Sequence, residues 1–549
     1  MMLSFRSYPS TETNVHRRNT LRELAESALL LALAVLLFRT FAVEGYLIST
    51  GSMAPTLLGY HRRVECPACH FAFSRGAAFD KFQGSTQIAS ADFEGDLDVF
   101  SATKCPNCSL GEINARVAPR NEGDQLLVQK LAYEFRDPRR WEVVVFQNQN
   151  DAEQAYVKRA VGLPGENLQV REGDLYINDE LQRKPFEIQQ AMRVPVSDYF
   201  HQPEDQDPDW RSRWSKREDG NDWDLSPESI HFRNTTMDSQ SEMQWFSYEN
   251  WIRSGGEHET RVPVSSWPST LKRPDDPRLK YENGELICLG TFSAYEKQQW
   301  LQKCDEPEFQ SAIEKLFTES HIAPIVDAYG YNSYEDKQYN LQHDLMVSVE
   351  FANLSGPGQF EVQLTDGAEA FRVVILPDRK EIALLRNNES EPLWRVPFQA
   401  PKKDEPTVLD FSLFDQQVVV AVNEKAVQPA IPYTPSRKRS PLRRPVRIGA
   451  VGIECQITGL HLSRDVYYTM KGDDPGKVYQ LNPDEFFVLG DNSPVSLDSR
   501  VWTNPAVPRA ALIGKPFVVH LPSRQGEFQW KGKVSHVRVP DFSRIRYIR

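Results

Sequence analysis

The sequence predicts a mainly β protein entered through one N-terminal helix, and two observations carry that prediction. Apolar and polar residues alternate in short runs bounded by turn-forming residues over much of the chain, which is the period of strands. The 37 prolines and 29 glycines among 549 residues put much of the chain in turns and irregular β structure. Against that background one strongly apolar segment stands out, Ala28 to Phe38, interrupted by Arg39 and Thr40 and extended by Phe41-Ala42-Val43. A chain this long holds more than one domain. Its 40% hydrophobic content supplies the cores. The net charge of −12, from 64 Lys+Arg against 76 Asp+Glu, excludes a general nucleic-acid binder, which needs a basic footprint.

Taken in order, residues 1–25 read as a polar tail carrying Arg6, Arg17, Arg18 and Arg22. Residues 26–44 read as a transmembrane anchor in preference to a cleaved signal peptide. Arg39 would snorkel to the interface, and Tyr46 and Leu47 would sit among the lipid headgroups. The basic flank keeps the N-terminus cytoplasmic and puts the bulk of the chain on the outer side.

Three stretches carry chemistry. The first, Ile48-Ser49-Thr50-Gly51-Ser52-Met53-Ala54-Pro55-Thr56-Leu57, sets a hydroxyl on a turn just beyond the anchor. Gly51 removes Cβ crowding beside Ser52, and Pro55 biases Ala54 towards extended backbone. The second runs from Tyr156 to Glu166 and reads as a strand entering a Gly-Pro-Gly turn. Tyr156, Lys158 and Ala160 share one of its faces. A covered lysine loses its proton by desolvation and then serves as a general base. The third, Phe486 to Arg500, is an apolar strand ending in a loop dense with hydroxyls and charges. Taken singly, these stretches also fit an ordinary turn, a snorkelling lysine and a polar loop with a surface ion pair.

In this order the three resemble the boxes of type I signal peptidases, the membrane-anchored Ser/Lys proteases. The serine box is matched by Thr50-Gly51-Ser52-Met53-Ala54-Pro55-Thr56-Leu57, the lysine box from Lys158 to Glu166, and the last box from Gly490 to Arg500. Gly123 to Lys130 resembles the family's remaining strand box. The resemblance covers roughly residues 20–60, 120–185 and 475–525. It divides the chain into a catalytic core over 45–60, 120–186 and 475–525, two insertions, and a C-terminal tail over 526–549.

The first insertion, 61–119, holds Cys66-Pro67-Ala68-Cys69-His70 and Cys105-Pro106-Asn107-Cys108. Paired Cys-x-x-Cys knuckles are the pattern of a four-thiolate zinc ribbon. Two disulfides are the alternative in an extracytoplasmic segment. His70 reads as a neighbour of the site. The second insertion, 195–466, begins with weak periodicity. Tyr295–Lys303 and Pro307–Phe317 read as short helices, and eight alternating segments follow from Met346 to Leu462. That spacing fits an antiparallel sandwich. The run from Asp415 to Glu424 and the closing Gly-Leu-His-Leu strand resemble concanavalin/laminin-G-like jelly rolls, and such sandwiches often bind glycans. Cys288, Cys304 and Cys455 read as buried or paired thiols.

The resemblance implies an activity. Ser52 attacks the scissile carbonyl, Lys158 takes its proton, and Ser496 orients the amine. The Ser52 N–H and the Thr50 hydroxyl form the oxyanion hole. Asp498 and Arg500 give structural support, with Arg159 the candidate partner of Asp498. Substrates are secretory preproteins with small residues at −1 and −3, and Met53 and the strand after Asp124 line the pocket. Catalysis needs no cofactor, so zinc is structural. Localisation is the cell (inner) membrane, single-pass, with the catalytic domain extracytoplasmic and lipid as a partner. The sandwich is expected to be a separable module that docks a glycan or an envelope protein, with the core closed without it. The alternative from another class is a membrane-anchored, non-catalytic glycan- or protein-binding envelope protein. The joint presence of Ser52 and Lys158 favours the enzyme.

Overall fold

Residues 20–77, 102–148, 151–216, 222–237, 241–253, 258–332, 339–399, 405–470, 476–530 and 533–549 are described by a computed structural model. Most of the expected N-terminal tail and of the loop between the cysteine knuckles lies outside them. The chain is mainly β, as its alternation predicts.

One antiparallel sheet organises the parts that resemble a protease. From edge to edge it runs Val43–Leu47, Gln125–Gln129, Leu512–Val519, Val143–Asn148, Asp151–Gly162, Glu485–Leu489 and Val507–Pro508, and Arg546–Tyr547 also pairs with Leu512–Val519. Strand alternation gives the sheet two apolar faces. Val143 and Val145 pack with Ile48, Met53, Leu57, Leu126 and Val128. Val144 and Phe146 pack on the other side with Ala160, Val488 and Val507. The hairpin Asn167–Arg171/Asp174–Ile177 leaves this sheet, and the returning chain pairs Tyr479 with Leu168. Entry and exit of the second insertion are therefore neighbours.

That insertion is built on two antiparallel sheets sharing one apolar core, a sandwich-like arrangement. The later strands fall where alternation places them: Leu345–Ser355, Gln359–Thr365, Ala370–Leu376, Glu381–Arg386, Thr407–Ser412, Gln417–Val422, Val446–Val451 and Ile453–Arg464. The weakly periodic stretch is not a separate region. It adds Val194–Asp198, Trp223–Leu225 and Ile230–Asn234 to one sheet, and Trp214–Lys216 and Gln244–Tyr248 to the other. Trp214, Trp223, Phe232, Phe246 and Tyr248 bury themselves in the common core. Helices Ala294–Leu301 and Pro307–His321 and three short strands form a smaller cluster holding Cys288 and Cys304, while Cys455 lies in the sandwich core. All three are free thiols.

One expectation needs correction. Residues 526–549 are not a tail, since Ser523–Trp530 and Lys533–Pro540 form a hairpin and Arg546–Tyr547 returns to the first sheet. The reason is electrostatic as well as β-pairing: Arg544 and Arg546 close on the buried Asp124 at 2.7 and 3.2 Å. The sandwich-like insertion also touches the core. Lys184, just past the hairpin, is buried between Asp415 and Asp465 of the sandwich at 2.5 and 2.7 Å.

The expected anchor forms the helix Thr20–Phe41, which leads directly into the sheet and exposes Leu24, Leu29, Leu30, Leu31, Leu33 and Val35. Glu23, Glu26 and Arg39 cut its apolar run short. Among the described residues no helix is long and apolar enough to cross a membrane.

Removing one partner of a buried ion pair strands the other in low dielectric. Lys184→Ala is therefore expected to destabilise the protein by about 3–5 kcal/mol. The check is the urea midpoint followed by tryptophan fluorescence, and an unchanged midpoint contradicts the clamp.

Candidate active site

Ser52 is presented by a turn fastened at both ends. Ile48 N–H donates to the Asp124 carbonyl at 2.9 Å, and Asp124 N–H donates to the Leu58 carbonyl at 2.8 Å. The Asp124 carboxylate accepts from Leu58 N–H at 3.0 Å. Within the turn, Ala54 N–H donates to the Gly51 carbonyl at 3.0 Å. Arg544 and Arg546 neutralise Asp124 from outside, and Arg546 also donates to the Thr56 carbonyl at 2.5 Å.

Lys158 lies in the strand Asp151–Gly162, opposite Val144 of the neighbouring strand. Its Nζ donates to Ser52 Oγ at 2.6 Å, across 106 positions of sequence. Both groups are enclosed, with Ser52 5% and Lys158 3% exposed. Tyr156, two residues earlier on the same face, puts its ring centroid 5.7 Å from Nζ. Thr50 Oγ1 stands 3.5 Å from Ser52 Oγ.

The last box closes over this pair. Asn492 N–H donates to the Ser52 carbonyl at 3.0 Å. Ser496 is wholly buried, and its N–H donates to the Asn492 carbonyl at 3.0 Å. Gly490 is obligatory here: a Cβ on it would lie 2.2 Å from Ser496 Oγ and 2.4 Å from the Ser52 carbonyl oxygen. Ser496 is thus brought against the serine turn. Met53 is buried with Leu126 and Val128 of the strand after Asp124.

The charges of the box pair differently from expectation. Arg159 does not reach Asp498. It faces the opposite way from Lys158 along the strand and meets Asp491 at 2.8 and 2.6 Å through Nε and Nη2. Asp498 is taken by Arg500 at 2.8 and 2.7 Å, and it also accepts from Gly490 N–H at 3.1 Å. Burial opposes the charge of both guanidiniums, yet Asp491 and Asp498 hold them above the ordinary arginine pKa. Ser493 closes the remaining gap, accepting from Arg500 Nη1 and from Thr469 N–H, each at 2.8 Å. Asp491, Asn492, Arg544 and Arg546 were missed as support for the site. Asp491 and Asn492 lie within the last box, while the two arginines have no motif to reveal them.

The four knuckle cysteines form a second centre. Their sulfurs lie within 4.8 Å of one another. Cys66 and Cys108 Sγ are 3.6 Å apart, and Cys69 and Cys105 Sγ are 3.7 Å apart. Four thiolates at about 2.3 Å from a tetrahedral zinc stand about 3.8 Å apart, so the donor set fits that ion. The knuckles share one backbone turn. His70 N–H donates to the Cys66 carbonyl at 2.9 Å and Ser109 N–H to the Cys105 carbonyl at 3.0 Å, both residues at positive φ. The His70 side chain turns outward to Glu65 at 3.0 Å and is no ligand.

Residues 117–230 and 415–521, less than half of the chain, match the family described as "Signal peptidase, peptidase S26". The match takes in Lys158 and the last box and leaves Ser52 outside. A signal peptidase I from Leptolyngbya laminosa is 39% identical over 64 residues, which is 10% of this chain and 32% of the relative. Signal peptidase I V of Bacillus subtilis is 34% identical over 65 residues, 12% and 38% of the two chains. A signal peptidase I of Rickettsia bellii is 22% identical over 177 residues, 32% and 46%. The chain thus spans less than half the length of these curated relatives. Among solved structures, the carbohydrate recognition domain of Emp47p aligns over 47% of this chain and 90% of its own at 7% identity. Its TM-score of 0.23 is too low to bear on fold or function.

Purified protein is expected to carry about one equivalent of zinc, and Cys66→Ser is expected to lower both metal content and melting temperature. Metal-free protein with the four sulfurs in disulfides contradicts the assignment.

Proposed function

We propose that this chain is a serine endopeptidase that removes signal peptides from secreted preproteins through a Ser52/Lys158 dyad. The 2.6 Å contact between Lys158 Nζ and Ser52 Oγ in an enclosed site is the observation that carries it. The similarity of the lysine and last-box regions to signal peptidases supplies the substrate class.

In this reading the unprotonated Lys158 amine accepts the Ser52 hydroxyl proton as Oγ bonds to the scissile carbonyl carbon. The Ser52 N–H and the Thr50 hydroxyl stabilise the oxyanion. The C–N bond breaks, and the leaving amine takes the proton from Lys158. Water then hydrolyses the acyl ester, with Lys158 again accepting and returning a proton. Ser496 supports the amine from the last box. Met53 and the strand Gln125–Gln129 line the subsites for small residues at −1 and −3. The four thiolates hold a structural zinc and take no part in these steps. The proposal also sets the exposed apolar face of Thr20–Phe41 against lipid, with the catalytic sheet on the extracytoplasmic side of the cell membrane.

Ser52→Ala and Lys158→Ala are each expected to lower kcat/KM on a model preprotein by roughly 10³-fold or more, with the melting temperature nearly unchanged. Near-normal turnover by either purified variant contradicts the dyad.

A further inference from the structure

The second insertion does more than dock on the core. Its segment from Ile325 to Asn332 passes behind the serine turn. Tyr329 Oη donates to the Asp491 carbonyl at 3.1 Å, and Arg464 of the sandwich stacks on the Tyr329 ring at 4.4 Å. Tyr331 Oη donates to the Tyr60 carbonyl at 3.0 Å. The Tyr331 carbonyl accepts from Gly76 N–H at 2.9 Å and from Arg75 Nη1 at 2.8 Å, both in the ribbon. The Tyr331 ring occupies space left by two glycines. A Cβ on Gly51 would lie 2.2 Å from its Cε1, and one on Gly76 would lie 2.6 Å from the same atom. The serine box, the ribbon and the insertion meet on this one ring.

The next residue makes the chemical contact. Asn332 Nδ2 donates to Asn492 Oδ1 at 2.7 Å, and Asn492 Nδ2 donates to Asn332 Oδ1 at 2.8 Å. This reciprocal amide pair fixes which way the Asn492 side chain points. The same Asn492 Nδ2 donates to the Gly51 carbonyl at 3.0 Å, while Asn492 N–H holds the Ser52 carbonyl at 3.0 Å. Asn492 therefore grips the peptide units on both sides of Ser52. The Gly51 carbonyl and the Ser52 N–H belong to one planar trans peptide and point in opposite directions. Holding the carbonyl thus sets the direction of the N–H, which the proposed mechanism uses as an oxyanion donor.

We propose that Asn332 is a positioning residue for the Ser52 centre: acting through Asn492, it orients the Gly51–Ser52 peptide and makes the active site incomplete without the insertion. The inference rests on the Ser52/Lys158 reading. Oxyanion donors act through direction as much as distance, and removing one outright costs roughly 10²–10³-fold in kcat. Loosening one costs less.

The test compares full-length wild type, Asn332→Ala, Asn332→Ser, Asn492→Ala and the Asn332→Ala/Asn492→Ala pair on a model preprotein, with Ser52→Ala as control. The expected result is a fall in kcat of roughly 10- to 100-fold for both Asn332 variants, with KM within about twofold. The double variant is expected to be no worse than Asn492→Ala alone, because the two residues act in series. Unchanged kcat overturns the inference. So does a loss that tracks the melting temperature and adds to that of Asn492→Ala, since that is the signature of a merely structural contact. Full activity of Ser52→Ala would instead overturn the dyad reading itself.

Discussion

A lysine kept from water beside a serine is the constraint around which the rest of the structure is arranged. Enclosure disfavours an ammonium charge, so such a pair is held only where surrounding groups fix it from several sides. Here the serine turn is tied at both ends by Asp124, the lysine strand is central in the sheet, and the last box lies across both. The ionic groups near the pair are matched among themselves, Arg159 with Asp491 and Arg500 with Asp498. Lys158 Nζ is directed at Ser52 Oγ at 2.6 Å, the contact a general base requires.

The inserted parts take their place in the same logic. The cysteine-knuckle insertion and the sandwich-like insertion enter the chain at points remote in sequence, yet both reach the back of the serine turn through Tyr331. Lys184 ties the sandwich to the hairpin on the other side, with two carboxylates around one ammonium. Excising the sandwich would therefore unpair buried groups on both surfaces. A point substitution at the contact is the cleaner probe of what the insertion contributes.

Legibility in the sequence followed the range of the interactions. Gln417–Val422 and Val446–Val451 were readable to the residue because a short, mostly apolar run rich in β-branched residues is a local signal. Ser52, Lys158 and the last box were readable as motifs, although only the fold shows them in contact. The strands around Trp214 and Trp223 were hidden because three-residue segments between polar loops give no period. The hairpin ending at Pro540 was passed over as a C-terminal tail, although Val537 and Val539, alternating with His536 and Arg538, carried a usable signal. Pairing Arg159 with Asp498 failed because two acids seven residues apart compete for two arginines, and only the backbone path decides between them. Asn332 has no local signature at all, since its partner Asn492 is 160 positions away.

The central claim is that Lys158 makes Ser52 a nucleophile. The direct measurement is covalent labelling of the purified protein with a small acylating reagent, followed by peptide mapping. The account predicts one stable adduct, on Ser52, formed by the wild type and lost or slowed roughly 10³-fold in Lys158→Ala. Labelling at another residue, or of Ser52 at an undiminished rate without Lys158, would contradict it.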